Sequence, residues 1–217
     1  GYSAVADEWI GIRPGTDGLF VGALIHELLS AQKIDGDYLQ RYTNAPWLVI
    51  ENPGGADDGL FARNAQGSAL VMDHHSGSPM PALSPDALPK LMGRFKLPDG
   101  RRVVTSFQLI AERFLSPDWA PEAVSARCGV PAATIKRIAA ELAEVAFSQQ
   151  VELDIPWTDH LGRFHEKTVG RPVSMHAMRG ISAHANGFQT CRTLHLLQII
   201  LGTIDVPGGF RYKPPFP

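Results

Sequence analysis

Apolar residues recur along this chain with more than one spacing. Leu19, Ala23, Leu24, Ile25, Leu28 and Leu29 lie close to one face of a helix that opens after residue 18. Ile135, Ile138, Ala139, Leu142, Ala143 and Ala146 repeat that spacing more strictly and predict a helix over residues 131–147. Further helices are predicted over 35–41, 106–114 and 188–201, the last closed by Gly202. Pro121 sits where the first turn of another helix would stand. Strand character marks residues 7–12, 47–50, 151–155 and 172–178.

Between residues 54 and 105 the pattern changes. Short apolar runs flank the polar turns Asn64-Ala65-Gln66-Gly67 and Pro98-Asp99-Gly100-Arg101, which predicts two hairpins. A Pro-rich excursion over 79–98 lies between them. The stretch reads as a surface insertion on an otherwise single α/β domain covering residues 1–217. Elsewhere, strands alternate with helices of about 12 to 17 residues, which predicts βαβ units and a parallel sheet. Ligands of such sheets sit at the carboxyl ends of strands, beside helix N-termini. Two segments have that grammar, residues 14–18 and 179–187.

Composition narrows the function. The 217 residues are 44% hydrophobic with a formal net charge of −2, enough for a core and without a basic stripe for nucleic acid. No apolar run reaches the ~20 residues of a membrane helix, and residues 194–201 are interrupted by Gln198. Cys128 and Cys191 are far apart and form no CxxC pair, which argues against a zinc or iron–sulfur site built by this chain. The chain opens on Gly1-Tyr2-Ser3 without Met and closes on the Pro-rich run Lys213-Pro214-Pro215-Phe216-Pro217. It reads as a piece of a larger protein whose targeting signals lie elsewhere, so cytoplasm and periplasm both stay open.

At the first segment, Gly15 lets backbone approach a ligand closely, and the following helix N-terminus favours negative charge. Asp17 can accept two parallel hydrogen bonds from a flat donor edge such as that of guanine. The same residues also suit an ordinary strand-to-helix turn capped by Thr16 or Asp17. The second segment offers Arg179, Gly180 and Ser182 ahead of a helix, a set that suits a phosphate or a pterin edge. It equally suits a polar loop in which Ser182 or Asn186 caps that helix. Asp73, His74 and His75 suggest a metallohydrolase, but adjacent histidines on a strand point to opposite faces. His26 and His195 fall in helical patterns and read as packing or surface residues. No Ser-His-Asp or Cys-His arrangement is present.

Three blocks then carry a resemblance. Residues 6–18, Ala-Asp-Glu-Trp-Ile-Gly-Ile-Arg-Pro-Gly-Thr-Asp-Gly, resemble the segment after the "DPR" strand of molybdopterin oxidoreductases of the dimethyl sulfoxide reductase family. Residues 129–139 resemble that family's G-V-x-x-x-x-I-x-x-x-A helix, and residues 187–209 its L-x-G-x-x-x-x-P-G-G close. The blocks stand in the family's order across nearly the whole chain.

The resemblance implies much of the Rossmann-like third domain of a bacterial large catalytic subunit. That subunit carries molybdenum on two molybdopterin guanine dinucleotides. It implies that Gly15, Thr16 and Asp17 contact one guanine nucleotide, and that Met178, Arg179, Gly180 and Ser182 form a second cofactor-contacting segment. The iron–sulfur motif and the molybdenum ligand of such enzymes lie upstream, and the domain that closes over the second dinucleotide lies downstream. The piece alone is therefore expected to be inactive and without cofactor. Its partners are expected to be the remaining domains of the parent catalytic chain, together with an iron–sulfur electron-transfer subunit. Neither nucleic acid nor direct membrane insertion is expected. Residues 175–187 and the insertion look most like members acting on sulfur oxyanions: tetrathionate, thiosulfate, polysulfide or sulfite. A free-standing nucleotide-binding or protein-interaction module is the alternative.

Overall fold

The computed structural model describes residues 4–210, so both chain ends singled out above lie outside the described residues. The chain divides into two compact units. The first is made of residues 1–34, 114–151 and 170–217, and the second of residues 35–113 and 152–169.

The first unit is helical. Its centre is α1 (Asp17–Ser30), which packs against α4 (Pro121–Cys128), α5 (Ala132–Ser148) and α6 (Gly187–Ile200). Val21, Gly22, Ala23, Leu24 and Ile25 are consecutive and all buried, as are Leu28 and Leu29. A helix buried around its circumference is a core helix, and the one-sided stripe read from the sequence understates it. Ile135, Ala139, Ala143 and Ala146 form the buried face of α5, at the predicted spacing. α4 stops at Gly129, whose φ of +82° gives the left-handed C-cap that lets the chain turn into α5. Leu197 and Ile200 bury the inner side of α6.

The second unit carries the β structure. β1 (Leu48–Ile50), β5 (Arg102–Thr105) and β4 (Arg94–Lys96) form an antiparallel sheet in that order. β2 (Leu70–Met72) pairs antiparallel with β3 (Pro79–Pro81). Leu48, Ile50, Ala62, Leu70, Met72, Leu97 and Val103 form its core, with Phe95 against it. Both predicted polar turns are present: Gly67 N–H donates to the Asn64 carbonyl at 3.0 Å, and Gly100 N–H to the Leu97 carbonyl at 2.9 Å. α2 (Gly36–Tyr42) and α3 (Ser106–Phe114) match their predicted spans closely, and the segment read as an insertion, 54–105, falls inside this unit.

The mixed α/β class holds, but the Rossmann-like parallel sheet does not appear among the described residues. Every strand ladder with a stated register is antiparallel. Two expected strands are the reason. Among the described residues, 7–12 and 172–178 run without ladder partners, and a strand exists only where a neighbour takes its N–H and C=O groups. Residues 48–50 do have a neighbour, but it is β5, paired in an antiparallel register. β6 (Val151–Leu153) is present and pairs with β9 (Thr168–Gly170).

A small hairpin in the second unit, β7 (Trp157–Thr158) with β8 (Phe164–His165), is organised by one buried carboxylate. Asp159 Oδ1 accepts from the N–H groups of Leu161 (2.9 Å) and Arg163 (2.8 Å), while Oδ2 accepts from the Tyr42 hydroxyl at 3.1 Å. Oδ2 also lies 3.4 Å from His165 Nε2, and the His165 ring stacks on Trp157 with centroids 4.3 Å apart. Burial raises the Asp159 carboxyl, but the Arg163 N–H, His165, the Leu161 N–H and Tyr42 outweigh it and hold the group down to about 2 from its ordinary 3.8. Burial, and then this carboxylate, push the Tyr42 phenol up to about 12.

A carboxyl held below its unfolded value stabilises the fold fully above that value, and the contribution is lost as pH falls through the lower one. Acid titration is therefore expected to release this hairpin between about pH 4 and pH 2. The readout is the Trp fluorescence difference between the chain and its Trp157→Phe variant. A transition centred well above pH 4 would contradict the assignment.

Candidate functional site

Both segments singled out in the sequence lie in the first unit. The approach to the first is fixed by Arg13. Its N–H donates to the Cys128 carbonyl at 2.8 Å, and its Nη1 donates to the carbonyls of Arg127 (2.9 Å) and Ala126 (3.2 Å). These are end-of-helix carbonyls of α4 that have no partner within that helix, and a cation is favoured at that end of the dipole. The chain then turns at Pro14. Gly15 has φ of +78°, a conformation that strains any residue bearing a Cβ.

Thr16 holds the N-cap position of α1 but does not cap it. Its hydroxyl donates backward to the Arg13 carbonyl at 2.6 Å. Asn186 likewise holds the N-cap position of α6 without capping it. Its side-chain amide donates to the Gly15 carbonyl at 3.4 Å, across 171 residues of sequence. The capping readings of Thr16 and Asn186 are corrected accordingly, because each side chain is spent on another carbonyl. Ser182 is also spent, its hydroxyl donating to the Arg179 carbonyl at 3.0 Å within the turn Arg179–Ser182.

The two helix mouths therefore stand side by side. α1 and α6 pack closely, and a Cβ on Gly18 would come within 2.9 Å of Thr190 Oγ1, so this crossing needs glycine. Among the described residues, the N–H groups of Asp17 and Gly18 in α1, and of Phe188 and Gln189 in α6, meet no protein acceptor. Two uncapped N-termini side by side make a concentrated donor surface that favours negative charge. The Arg179 guanidinium and the Asp17 carboxylate have no protein partner among the described residues either. Gly15, Thr16 and Asp17 are half-buried, and Met178, Arg179, Gly180 and Ser182 are exposed, so the corner is open rather than packed shut. The structure brings Gly15 to the loop before α6. It places Met178 at the outer end of that loop, 63% exposed and with its sulfur 3.2 Å from His176 Nε2.

Cys128 and Cys191 are both free thiols. Among the described residues no group of three or more His, Cys, Asp or Glu could hold a metal ion. Asp73 is buried, and the Ser76 and Leu88 N–H groups hold its carboxyl well below the usual carboxylate range, whereas His74 and His75 are exposed. That carboxylate braces a turn, which leaves the metallohydrolase reading without a site. His26 accepts or donates at the Phe114 carbonyl, 2.7 Å away, and is a packing residue as expected. A cavity of about 310 Å³ at the C-terminal end of α1, lined by Glu27, Leu28, Lys33, Lys136 and Ala143, is at the far end of that helix from the two mouths. Among the described residues no helix is long and apolar enough to cross a membrane.

Comparison with known proteins bears on the family of the chain. The chain is 47% identical over its whole length to a sulfite dehydrogenase subunit of Allochromatium vinosum. It is 26% identical over 95% of its length to the formate dehydrogenase-O major subunit of Escherichia coli. A further match, at 22% over 94% of the chain, is to a chain named as a probable dimethyl sulfoxide reductase of the same organism. The chain belongs to the molybdopterin oxidoreductases of the dimethyl sulfoxide reductase family. It spans 23% of the length of the first of these relatives and 17% of each of the other two. No family model matches it.

Nothing local in the sequence singles out Arg13, Asn186 or the close packing of Gly18 on Thr190 as what assembles the site. The one cue for Arg13 is its place before Pro14, and no local pattern announces a bond spanning the chain. Replacing Arg13 by Ala should cost roughly 1 kcal/mol, the usual scale of a lost hydrogen-bonding group. It should also raise amide exchange over residues 13–18, measured by hydrogen–deuterium exchange with denaturant melts for stability. Unchanged exchange there would show that the corner is held by something else.

Proposed function

We propose that the first unit is a molybdopterin guanine dinucleotide-binding domain of a molybdenum-dependent oxidoreductase acting on a sulfur oxyanion. The observation that carries this reading is the pairing of two uncapped helix mouths, with Asp17 at the start of α1 and Arg179 in the turn before α6, neither side chain having a protein partner among the described residues. A guanine dinucleotide needs those groups: anionic oxygens for the N–H donors and the cation, and a flat donor edge for the carboxylate. The residues present therefore fit the group.

In this reading Asp17 takes the guanine edge, and Gly15 and Thr16 bring the backbone up to the nucleotide. Met178, Arg179, Gly180 and Ser182 form the facing wall, with Arg179 supplying charge. Bound molybdenum supplies the two-electron or oxygen-atom transfer, and this chain's part is to hold and orient the cofactor. The sulfur-oxyanion substrate is supported by the relative named as part of a sulfite dehydrogenase. We extend the same reading to an iron–sulfur cluster elsewhere in the parent catalytic chain and an electron-transfer subunit as partner.

Asp17→Ala in the intact parent enzyme removes a charged acceptor for two hydrogen bonds, worth roughly 1.5–3 kcal/mol. Molybdenum and guanine nucleotide per protein, measured by elemental analysis and by chromatography after acid release, should both fall. Wild-type contents in that variant would remove Asp17 from the site.

A further inference from the structure

The three-stranded sheet of the second unit ends on an open edge. β4 pairs with β5 on one side, the sheet order being β1-β5-β4. Leu97 N–H donates to the Arg101 carbonyl at 2.9 Å, and Thr105 N–H donates to the Gly93 carbonyl at 3.0 Å. Antiparallel bonds alternate along a strand, so Lys96–Arg102 and Arg94–Val104, one step in from each, are non-hydrogen-bonded pairs. Arg102 agrees, since its carbonyl turns away from β4 and accepts from the Glu51 N–H at 2.9 Å. The N–H and C=O groups of Arg94 and Lys96 therefore point outward, and among the described residues they meet no protein partner. The side chains at this edge are cations out of balance. Arg94 is spent, its Nε donating to Glu51 at 3.0 Å and its Nη2 to Glu112 at 2.9 Å. Lys96 and Arg102 stand directly opposite one another, both exposed, and neither has an acidic partner among the described residues. Pairs of this kind bring side chains closest, with Cα atoms about 4.5 Å apart, and like charges there are destabilising. The hairpin thus carries a repulsion that an anion would relieve.

We propose that β4 is a docking edge for an extended acidic segment of a partner protein chain, which adds beside it as a fourth strand. The backbone of that segment bonds to the outward N–H and C=O groups of Arg94 and Lys96, and its carboxylates sit over Lys96 and Arg102. The edge lies in the second unit and is independent of the function proposed above. Lysine on an edge strand commonly blunts it against stray pairing. Here the same charge acts as a filter, rejecting basic strands and admitting acidic ones. A second copy of this chain is a poor occupant, because pairing two β4 edges sets cation against cation. A contact made of backbone bonds and exposed charges is wet and salt-sensitive. That suits a partner that associates and leaves, rather than a segment folded permanently against the sheet.

The test uses the intact parent enzyme with two fluorescent synthetic peptides, one alternating Thr with Glu and one alternating Thr with Lys, read by anisotropy at low salt. The acidic peptide is expected to bind about tenfold tighter than the basic one, the scale of exchanging attraction for repulsion at two exposed cations. It should also protect the N–H groups of Arg94 and Lys96 from hydrogen–deuterium exchange. Lys96→Glu/Arg102→Glu is expected to reverse the preference between the peptides. Lys96→Glu alone sets opposite charges across the pair, so it should melt no lower than the wild type while binding the acidic peptide more weakly. Equal binding of both peptides, or binding of neither, overturns the proposal and leaves β4 a blunted edge. Binding that does not protect those two N–H groups overturns the strand addition. Protection of both in the enzyme without peptide shows the edge already covered by the parent chain, which overturns the partner.

Discussion

The first unit depends on the close crossing of α1 and α6. The middle of α1, residues 21–25, is buried among α4, α5 and α6, so its direction is set by packing rather than by its own sequence preferences. At the crossing, Gly18 leaves room for Thr190, and a single added methyl would meet the threonine hydroxyl at 2.9 Å. Cores at this density do not absorb such an intrusion without moving a helix. The same crossing brings two helix N-termini together at one edge of the unit. Apolar packing thereby decides where the polar donors point.

The side chains at those mouths are arranged in a consistent way. Thr16 and Asn186 stand where caps normally stand, yet both turn away, one to Arg13 and the other to Gly15. A cap left unmade costs about 1 kcal/mol per helix. Arg13 compensates by satisfying three carbonyls at the end of α4, which anchors the corner from behind. The result is a rigid turn with open N–H groups in front, a form suited to an anionic ligand that supplies the missing acceptors. In the second unit the opposite solution is seen. Asp159 is surrounded by donors and fully spent, and it serves to hold a hairpin together.

Much of this was legible in the sequence where information is local. α3, α5 and both polar turns follow from spacing and turn chemistry within a few residues. Asp17 was visible as a carboxylate at a predicted helix start, and Arg179 as a cation in the polar loop ahead of another. The parallel sheet was not supported, because strand pairing is a property of distant partners. Residues 7–12 have the composition of a strand but no neighbour among the described residues, and residues 47–50 found an antiparallel one. The capping roles given to Thr16 and Asn186 failed for the same reason: their carbonyl partners are set by the turn and by the tertiary fold.

The central claim is that the two helix mouths accept one ligand together. Amide hydrogen exchange in the intact parent enzyme, compared with and without its cofactor, tests it most directly. The account predicts that the N–H groups of Asp17, Gly18, Phe188 and Gln189 become protected together when the cofactor is present, while α5 exchanges alike in both states. Protection at only one of the two mouths, or none at either, would contradict it.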